Sequence, residues 1–356
     1  MKVQKWELAN KIKKLRAVVP KQAALPILQN ILVDNGTLTA TNMELTISTK
    51  LEGSEGETML IPAKAFGLID QLPNGEFEII KSSKKGRNAI MIRAGSSIKN
   101  AFETLDHAEF PRSSNYAPGD QQATIDGDEL TNAIRNVLYA VAKVSDKPSM
   151  CAVCMECKAG ALSTIGLNGQ QVAWDRIPYE GDFRLLIPRS AAEQLISLGI
   201  EGDVIISYSN MFASFETAEY VVQTRLVDGN YFNVDKMFRW GGRRVELLRD
   251  SVSKAIRRAD MCNEEVKHVP VRLDLEADSL RVYINSSSAA YSEELPIESE
   301  EEGTLTIGFN PAILRAAIDA FADEKIDAWF SSPKSPVIMK SRTRDFRALV
   351  LPVLIK

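Results

Sequence analysis

The residues best suited to metal or redox chemistry are the cysteines, three of which lie close together as Cys151, Cys154 and Cys157. Thiolates at a C-x-x-C-x-x-C spacing can bind zinc or iron. The surrounding residues predict a β-strand, in which Cys151 and Cys157 share one face and Cys154 lies on the other. Ligands on opposite faces cannot converge on one ion, and Cys262 is distant in sequence. A cysteine-based metal protein is therefore kept only as an alternative, and no metal site is assigned.

Acid–base catalysis has few candidate residues in this chain. The histidines are His107 and His268, and the carboxylates are scattered without an obvious acid/base pair. The sequence contains no G-x-x-x-x-G-K-[ST], H-E-x-x-H or G-x-S-x-G motif, and no G-x-G-x-x-G after a strand. These observations favour a protein that is not an enzyme, with no catalytic residues and no cofactor.

Composition narrows the class further. The chain has 356 residues, of which 45% are hydrophobic, enough to form two or three folded domains. A net charge of −4 argues against coating nucleic acid through overall positive charge, so any such contact must be local. No apolar run approaches the roughly 20 residues that cross a bilayer, and the N-terminus does not resemble a signal peptide. Reduced cysteines and a cytoplasmic location are expected.

An apolar segment that runs into a proline and then an amphipathic stretch occurs three times, at Pro62, Pro188 and Pro311. Proline suits the first position of a helix, because its φ is already helical and its missing N–H is not needed there. Another amphipathic stretch lies upstream of each proline, and several strand-like segments separate it from the proline. The apolar stripes of these earlier helices are Leu8, Ile12, Leu15 and Val19; Leu130, Ile134, Val137, Val141 and Val144; and Leu248, Val252, Ala255 and Ala259. The prolines recur about every 125 residues, which indicates one unit repeated three times.

The repeat restarts in two polar, turn-rich segments, residues 112–122 and 239–244. We therefore predict an α+β fold of three repeated domains, each with two helices packed on antiparallel sheet, at residues 1–118, 119–242 and 243–356. Three duplicated domains without a shared task remain the alternative.

Basic residues lie off the apolar stripe of the first helix in each predicted domain. They are Lys11, Lys13 and Lys14 in the first domain, Arg135 and Lys143 in the second, and Lys254, Arg257 and Arg258 in the third. Most charged helical positions are simply solvated surface. Their recurrence at one architectural place in an acidic chain favours contact with a polyanion, which can be made through phosphates without reading bases.

Six segments, in a consistent order along the chain, resemble the beta subunit of bacterial DNA polymerase III, the sliding clamp, and identify the chain as a diverged member of that family. The segments are LPILQNILVD (25–34), TATNMELTIS (39–48), IPAKAFGLIDQLP (61–73), FETLDHAEFPR (102–112), RLVDGNYFN (225–233), and IGFNPAILRAAIDAF (307–321) with the C-terminal LVLPVLIK (349–356). The resemblance extends over essentially the whole chain.

The resemblance implies three clamp-type domains per subunit and a head-to-tail homodimer that closes into a ring around duplex DNA, without sequence preference. Phe102 would face Met261 and Cys262 across the subunit boundary. The implied DNA-binding residues are Lys11, Lys14, Lys21, Gln22, Arg135, Lys143, Lys147, Lys254, Arg257 and Arg258. Gln22 stands where the family commonly has a basic residue, which puts that contact in doubt.

The resemblance also implies a hydrophobic groove for short linear peptides from the polymerase catalytic subunit, the clamp loader and repair proteins. Its residues would be Met150, Leu167, Gly169, Val172, Phe232, Lys236, Met237, Leu349, Leu351, Pro352 and Val353. The chain departs from the family pattern at Leu167, Phe232 and Lys236, so a different peptide preference is expected. A clamp-like interaction hub that never closes on DNA is the alternative function.

Overall fold

The computed structural model describes residues 1–84, 86–112, 119, 121–263, 269–299 and 303–355. The chain forms two compact units: Met1–Thr131 with Ser190–Leu226, called unit 1, and Asn132–Arg189 with Val227–Lys356, called unit 2. The three-domain division stays a prediction, because the boundaries of these two units do not coincide with the predicted domain boundaries. No helix within the described ranges combines the length and apolar character needed to span a bilayer.

Six α-helices lie in the described residues, where the proline repeat and the apolar stripes predict them. Their bounds are Lys5–Leu15 (α1), Ala63–Gln71 (α2), Gly127–Leu138 (α3), Arg189–Leu198 (α4), Arg249–Asp260 (α5) and Pro311–Asp319 (α6). Pro311 is the first residue of α6, whereas α2 and α4 begin one residue after Pro62 and Pro188. The predicted proline position is therefore met in α6 and displaced by one residue in the other two helices.

The stripes are buried along the helices, but each was predicted with residues outside its helix: Val19 follows α1, Val141 and Val144 follow α3, and Leu248 precedes α5. Leu8, Ile12 and Leu15 of α1 are buried, as are Val252, Ala255 and Ala259 of α5. In α3 the buried stripe comprises Leu130, Ile134 and Val137.

Helix α3 ends at Leu138, where the N–H groups of Ala140 and Val141 donate to carbonyls three residues earlier and tighten the last turn. Val144 lies beyond the helix and is 91% exposed. Its predicted place on the stripe is wrong, because the chain has already turned away from the helical path.

Unit 1 contains two antiparallel sheets. Their strands are Lys2–Gln4 (β1), Asn30–Asp34 (β2), Thr37–Thr41 (β3), Leu45–Lys50 (β4), Thr58–Pro62 (β5), Glu76–Lys84 (β6), Arg87–Ala94 (β7), Ile98–Glu103 (β8), Gln121–Asp126 (β9), Asp203–Tyr208 (β14), Phe212–Glu216 (β15) and Tyr220–Arg225 (β16). One sheet has the order β1-β6-β7-β8, and the other has the order β5-β2-β3-β4-β16-β15-β14-β9.

Unit 2 also contains two antiparallel sheets. Their strands are Ala152–Lys158 (β10), Ala161–Leu167 (β11), Gln171–Pro178 (β12), Phe183–Pro188 (β13), Arg243–Leu248 (β17), Val271–Leu275 (β18), Ser279–Asn285 (β19), Ala290–Pro296 (β20), Glu298–Ser299 (β21), Leu305–Phe309 (β22), Lys325–Phe330 (β23), Val337–Lys340 (β24) and Asp345–Val350 (β25). The orders are β13-β10-β11-β12-β25-β24-β23-β17-β21 and β20-β19-β18-β22.

The same order of elements occurs three times along the chain: a strand, a helix, four strands, a second helix and three strands, with the short β21 as an insertion in the third. Within each long sheet, the third strand after the first helix of one repeat pairs with the last strand of the next. These seams join β4 to β16 in unit 1 and β12 to β25 in unit 2. The corresponding strands β20 and β8 each lie at the end of a four-stranded sheet.

Helix α3 and strand β11 approach closely at Gly166. A Cβ added there would lie 2.3 Å from the carbonyl oxygen of Val137. Any larger residue would therefore push the strand away from the helix. The opposite face of β11, with Ile165 and Leu167, consequently points away from α3 and is available for other contacts.

Candidate functional site

A hydrophobic cluster covers the face of the β10-β11-β12 sheet that points away from α3. Leu167, Val172 and Leu349, all predicted groove residues, are buried in it, and the predicted Met150 and Phe232 pack on it half-buried. The β12–β25 seam aligns Val172 with Leu349, and the N–H of Leu351 donates to the Gln170 carbonyl at 2.9 Å. The seam thus brings together residues that are nearly 180 positions apart in sequence.

The segment 227–240 forms one wall over this cluster. Val234 and Phe238 are buried in the cluster, while the Tyr231 hydroxyl donates to the Ile165 carbonyl at 3.3 Å. The N–H of Val227 donates to the Leu186 carbonyl at 2.9 Å. The wall is therefore attached to the sheet at both its polar and its apolar residues.

The β11–β12 turn borders the cluster, and Gly169 lies at its tip. Gly169 has a φ of +85°, a backbone conformation that residues other than glycine rarely adopt. The Asn168 side-chain oxygen accepts hydrogen bonds from the N–H groups of Gln170 and Gln171 at 3.0 and 3.1 Å. The turn is thus stabilised by its own residues, as asparagine commonly does.

The rim of the cluster exposes apolar side chains. Leu351 is 45% exposed and Val353 is 38% exposed, and Met237 and Lys236 are also exposed. Val353 donates its N–H to the Gly308 carbonyl at 2.8 Å, which ties the C-terminal segment to β22. Buried apolar residues bordered by exposed ones form a surface suited to an apolar peptide side chain. We call this surface the groove.

Lys147 was predicted among the DNA-binding residues, but its ammonium lies 5.6 Å from the centre of the Phe232 ring. This is the distance of a cation–π contact, and Phe232 belongs to the groove. The structure therefore brings Lys147 to the groove. Lys143 and Arg135 are exposed, and Arg135 donates to the Asn132 side-chain oxygen.

The basic residues of α1 contact protein oxygens. Lys14 donates to the carbonyls of Ser197 and Leu198 at the end of α4, a place where a cation offsets the negative end of the helix. Lys11 pairs with Glu7 at 3.5 Å and donates to the Lys50 carbonyl. Both lysines therefore also stabilise unit 1. Lys21 and Gln22 are exposed in the segment after α1.

The basic residues of α5 are of two kinds. Arg257 is exposed, and Lys254 forms an exposed pair with Asp250 at 3.7 Å. Arg258 instead pairs with Glu293 of β20 at 2.6 Å and donates to the Tyr291 hydroxyl at 2.9 Å. The hydrogen bond from Arg258 lowers the pKa of Glu293 below its ordinary value. Arg258 therefore attaches α5 to the edge strand β20.

The predicted interface residues lie at edges of their own units. Phe102 is half-buried in β8, the last strand of its sheet. Met261 follows α5 and is 80% exposed, and Cys262 is half-buried beside it. An unpaired strand edge and an exposed methionine are both typical of surfaces that meet a partner.

The cysteines do not form a metal site in the part of the chain that the structure describes, where no group of three metal-ligating residues occurs. Cys151 lies in a short 3-10 helix before β10, so its predicted place on the strand is wrong: the helical turn that starts at Pro148 delays the strand. Cys154 is buried, which raises the pKa of its thiol. His268, one of the two histidines noted in the sequence, lies outside the described residues.

One cluster was missed from the sequence: three tryptophans and three arginines on the seam of unit 2. The Arg347 guanidinium lies 4.7 Å from the Trp174 ring and 6.0 Å from the Trp240 ring. Trp240 contacts Trp329 at 4.8 Å, and Arg244 lies 6.0 Å from the Trp329 ring. Arg176 lies 5.4 Å from the Trp174 ring. Only the fold shows that these residues meet; the sequence signal was limited to Trp174 and Trp240, each of which lies within two residues of an arginine.

Comparison with known families gives the class of protein. The model of the DNA polymerase III beta subunit N-terminal domain matches residues 1–114, and the model of its C-terminal domain matches residues 243–354. Together these matches cover more than half of the chain.

Full-length relatives and solved structures agree with these matches. The beta sliding clamp of Pseudomonas putida is 22% identical and that of Chlamydia pneumoniae 25% identical, with 98% and 95% of this chain covered and 98% and 94% of the relatives. A Pseudomonas aeruginosa sliding clamp bound to griselimycin has a TM-score of 0.89 at 22% identity, covering 100% of this chain and 99% of that one. The beta subunit from Streptococcus pyogenes also has a TM-score of 0.89, at 19% identity and 99% coverage of both chains.

The fold is thus that of a sliding clamp. The chain belongs to the DNA polymerase III beta subunit family, as the sequence resemblance predicted.

Proposed function

We propose that the protein is a non-catalytic processivity factor: a homodimeric sliding clamp that encircles duplex DNA and tethers a DNA polymerase to it. Each subunit would contain three domains, at residues 1–118, 119–242 and 243–356. The two matched family segments, which end at residue 114 and begin at residue 243, support these boundaries. The proposal places the protein in the cytoplasm.

The observation that carries the ring proposal is the repeated seam. The third strand after the first helix of a repeat pairs with the last strand of the next, at β4–β16 and at β12–β25. The same rule leaves β20 of the third repeat and β8 of the first without a corresponding seam. A second copy supplies both partners, since β20 of each subunit would pair with β8 of the other.

A strand edge also favours this closure on physical grounds. An exposed edge presents unpaired N–H and C=O groups that recruit other strands, and a closed assembly removes it. Arg258 and Glu293 hold β20 against α5, and Phe102 of β8 would face Met261 and Cys262 of the partner subunit. The two edges would thus meet through backbone hydrogen bonds and a small apolar contact.

For DNA, we propose that the helices line the ring and contact phosphates through Lys11, Lys14, Lys21, Gln22, Arg135, Lys143, Lys254 and Arg257. The exposed Lys143, Arg135, Lys254 and Arg257 are the strongest candidates, because their charges are accessible. Lys11 and Lys14 also serve the fold, and Arg258 mainly positions β20. Contacts of this kind are sensitive to salt and do not select a sequence.

For protein partners, we propose that the groove binds short linear peptides of a polymerase catalytic subunit, a clamp loader and repair proteins. Its buried residues Leu167, Val172 and Leu349 would form the floor, with Met150 and Phe232 beside them. Met237, Lys236 and the segment 351–353 would form the rim, and Gly169 the turn at one end. Lys147 would add a cation beside Phe232.

The test is DNA synthesis on primed circular DNA, with a polymerase and clamp loader, in the presence and absence of this protein. We expect longer products only when the clamp is present, and retention of the clamp on circular but not linear DNA. Analytical ultracentrifugation at micromolar concentration should show a dimer. A monomer that binds the partner peptides but is not retained on circular DNA would support an interaction hub instead.

A further inference from the structure

A second cleft, of about 420 Å³, lies beside the groove on the same face of the β10-β11-β12 sheet. Ile165 and Trp174 lie at its base, and Tyr231 and Phe232 form its wall. Phe232 is also a groove residue, so the two surfaces are adjacent. We call this second surface the side cleft.

Two N–H donors of side-cleft residues have no hydrogen-bond partner among the residues that the structure describes. Trp174 is only 5% exposed, and its indole Nε1 is buried without an acceptor. The Nε of Arg176, two residues along β12, is also buried without an acceptor. A buried donor without a partner is uncommon, because it has lost its water and gained nothing in return. Trp174 and Arg176 both line the same cleft, so an acceptor that enters it lies beside both residues.

The charges of the side cleft indicate what that acceptor is. Lys158, Arg176 and Arg184 line it together with Glu156 and Asp235, so the lining residues carry more positive than negative charge, and the Nη1 of Arg176 also lies 3.7 Å from a carboxylate oxygen of Asp345. Arg184 is 3.8 Å from Glu156, too far for a strong hydrogen bond. A carboxylate would accept from both free donors and offset the excess positive charge, and such charge-assisted hydrogen bonds are stronger than those to a neutral acceptor.

The distance to the groove fits one extended peptide. Val172 lies in the groove, and Trp174 and Arg176 are the next residues of β12 on the same face. Since a strand rises about 3.3 Å per residue, Arg176 lies roughly 13 Å along the strand from Val172. About four residues of extended peptide span that distance, so a peptide anchored in the groove can place a side chain in the side cleft.

We propose that the side cleft binds an acidic side chain of the same peptide that occupies the groove, three to five residues from its apolar anchor. Trp174 Nε1 and Arg176 Nε would donate to the carboxylate. This site extends the proposed peptide-binding function and rests on it. It would make the protein select partners by an aspartate or glutamate flanking the anchor.

The test uses fluorescent alanine-based peptides with a Leu-Phe anchor. Two carry a glutamate pair three to five residues before or after the anchor, and two carry glutamines at the same places. We expect one glutamate peptide to bind about tenfold more tightly than its glutamine counterpart, with the advantage falling as salt is raised. Trp174→Phe removes the indole donor and keeps an aromatic ring against Phe238; Arg176→Met removes the guanidinium. Each should reduce the glutamate advantage to about threefold or less.

The glutamine peptides separate the two proposals. If they bind to the wild-type protein and to both variants alike, the groove and the fold are intact. Equal affinity for glutamate and glutamine peptides in both directions would then overturn the side cleft alone. If no anchored peptide binds, the groove proposal itself fails. A glutamate advantage that survives in both variants would place the acidic contact elsewhere.

Discussion

Replacing Leu351 and Val353 together with alanine should weaken peptide binding while leaving the fold intact. Both side chains lie on the rim of the groove and retain substantial exposed surface, 45% and 38% respectively. A peptide bound in the groove would cover that surface, because the two residues follow β25 directly where it pairs with β12. The double variant removes the apolar atoms and keeps the backbone of the C-terminal segment.

The magnitude follows from the exposed area. Complete burial of a leucine or valine side chain stabilises by about 1.5–3 kcal/mol. The fraction still available to a peptide is therefore about 1 kcal/mol at Leu351 and about 0.7 kcal/mol at Val353. The alanine side chains retain a little of this binding free energy, so the double variant should lose about 1.5 kcal/mol of it, which corresponds to roughly a tenfold increase in Kd.

Fluorescence polarisation with an anchored peptide measures the loss, and thermal unfolding monitors the fold. The midpoint of unfolding should fall by no more than about 4 °C, because the removed atoms are partly solvated already. Met211→Ala is the matched control, since Met211 is comparably exposed but lies in unit 1. Unchanged peptide affinity in the double variant, with the control also unchanged, would refute a groove wall formed by these residues.

Three further predictions concern DNA, ring closure and pH. Lys254→Glu with Arg257→Glu should weaken DNA binding and reduce the slope of log affinity against log salt by up to roughly 4, because two phosphate contacts are lost in each subunit of the dimer. Phe102→Asp should shift the dimer toward monomer in sedimentation, because it places a charge in the proposed apolar contact. Hydrogen bonds from Lys325 and then Arg342 lower the pKa of Glu246, so its stabilising effect is present near neutral pH and is lost in acid, as the pH falls through that lowered pKa. Glu246→Gln should therefore flatten the fall in unfolding temperature on acidification.

Each of these predictions has its own control and contrary result. Lys334→Glu changes an exposed charge between β23 and β24 rather than on a helix, and a salt slope that changes equally there would argue against α5 as a lining. Normal dimerisation of the Phe102→Asp variant would remove β8 from the interface. Glu201→Gln removes an exposed carboxylate and serves as the control for Glu246→Gln. If both variants flatten the fall in unfolding temperature on acidification to the same extent, Glu246 does not determine that fall.

The helices could be predicted because their determinants are local. A proline before an amphipathic stretch and an apolar stripe at helical spacing both act within a few turns, and four of the six helices begin within one residue of the first predicted position, while α1 and α3 begin three residues before it. The helix ends were predicted less well: the stripes continue to Val19 and Val144, although α1 ends at Leu15 and α3 at Leu138. An apolar residue at the right spacing does not require that the helix continues.

The seams and the clusters on them could not be predicted in the same way. Trp174 meets Arg347 only because β12 and β25 are neighbours in one particular register. Lys147 was assigned to DNA on its position after α3, yet its charge lies over Phe232. Both depend on contacts between strands and loops far apart in sequence, which periodicity within a segment cannot report.

The seams also determine where a closed ring would come apart. Strands β4 and β16, like β12 and β25, are parts of one continuous chain, so a seam that separates briefly is held nearby by its own tether and closes again quickly. The proposed β20–β8 seam has no such tether across it. In a dimer, however, opening one of these two seams leaves the other as a hinge that keeps the free ends close together. The lifetime on circular DNA would therefore depend on how fast one untethered seam opens and recloses, and could greatly exceed the lifetime expected from a single isolated strand pair.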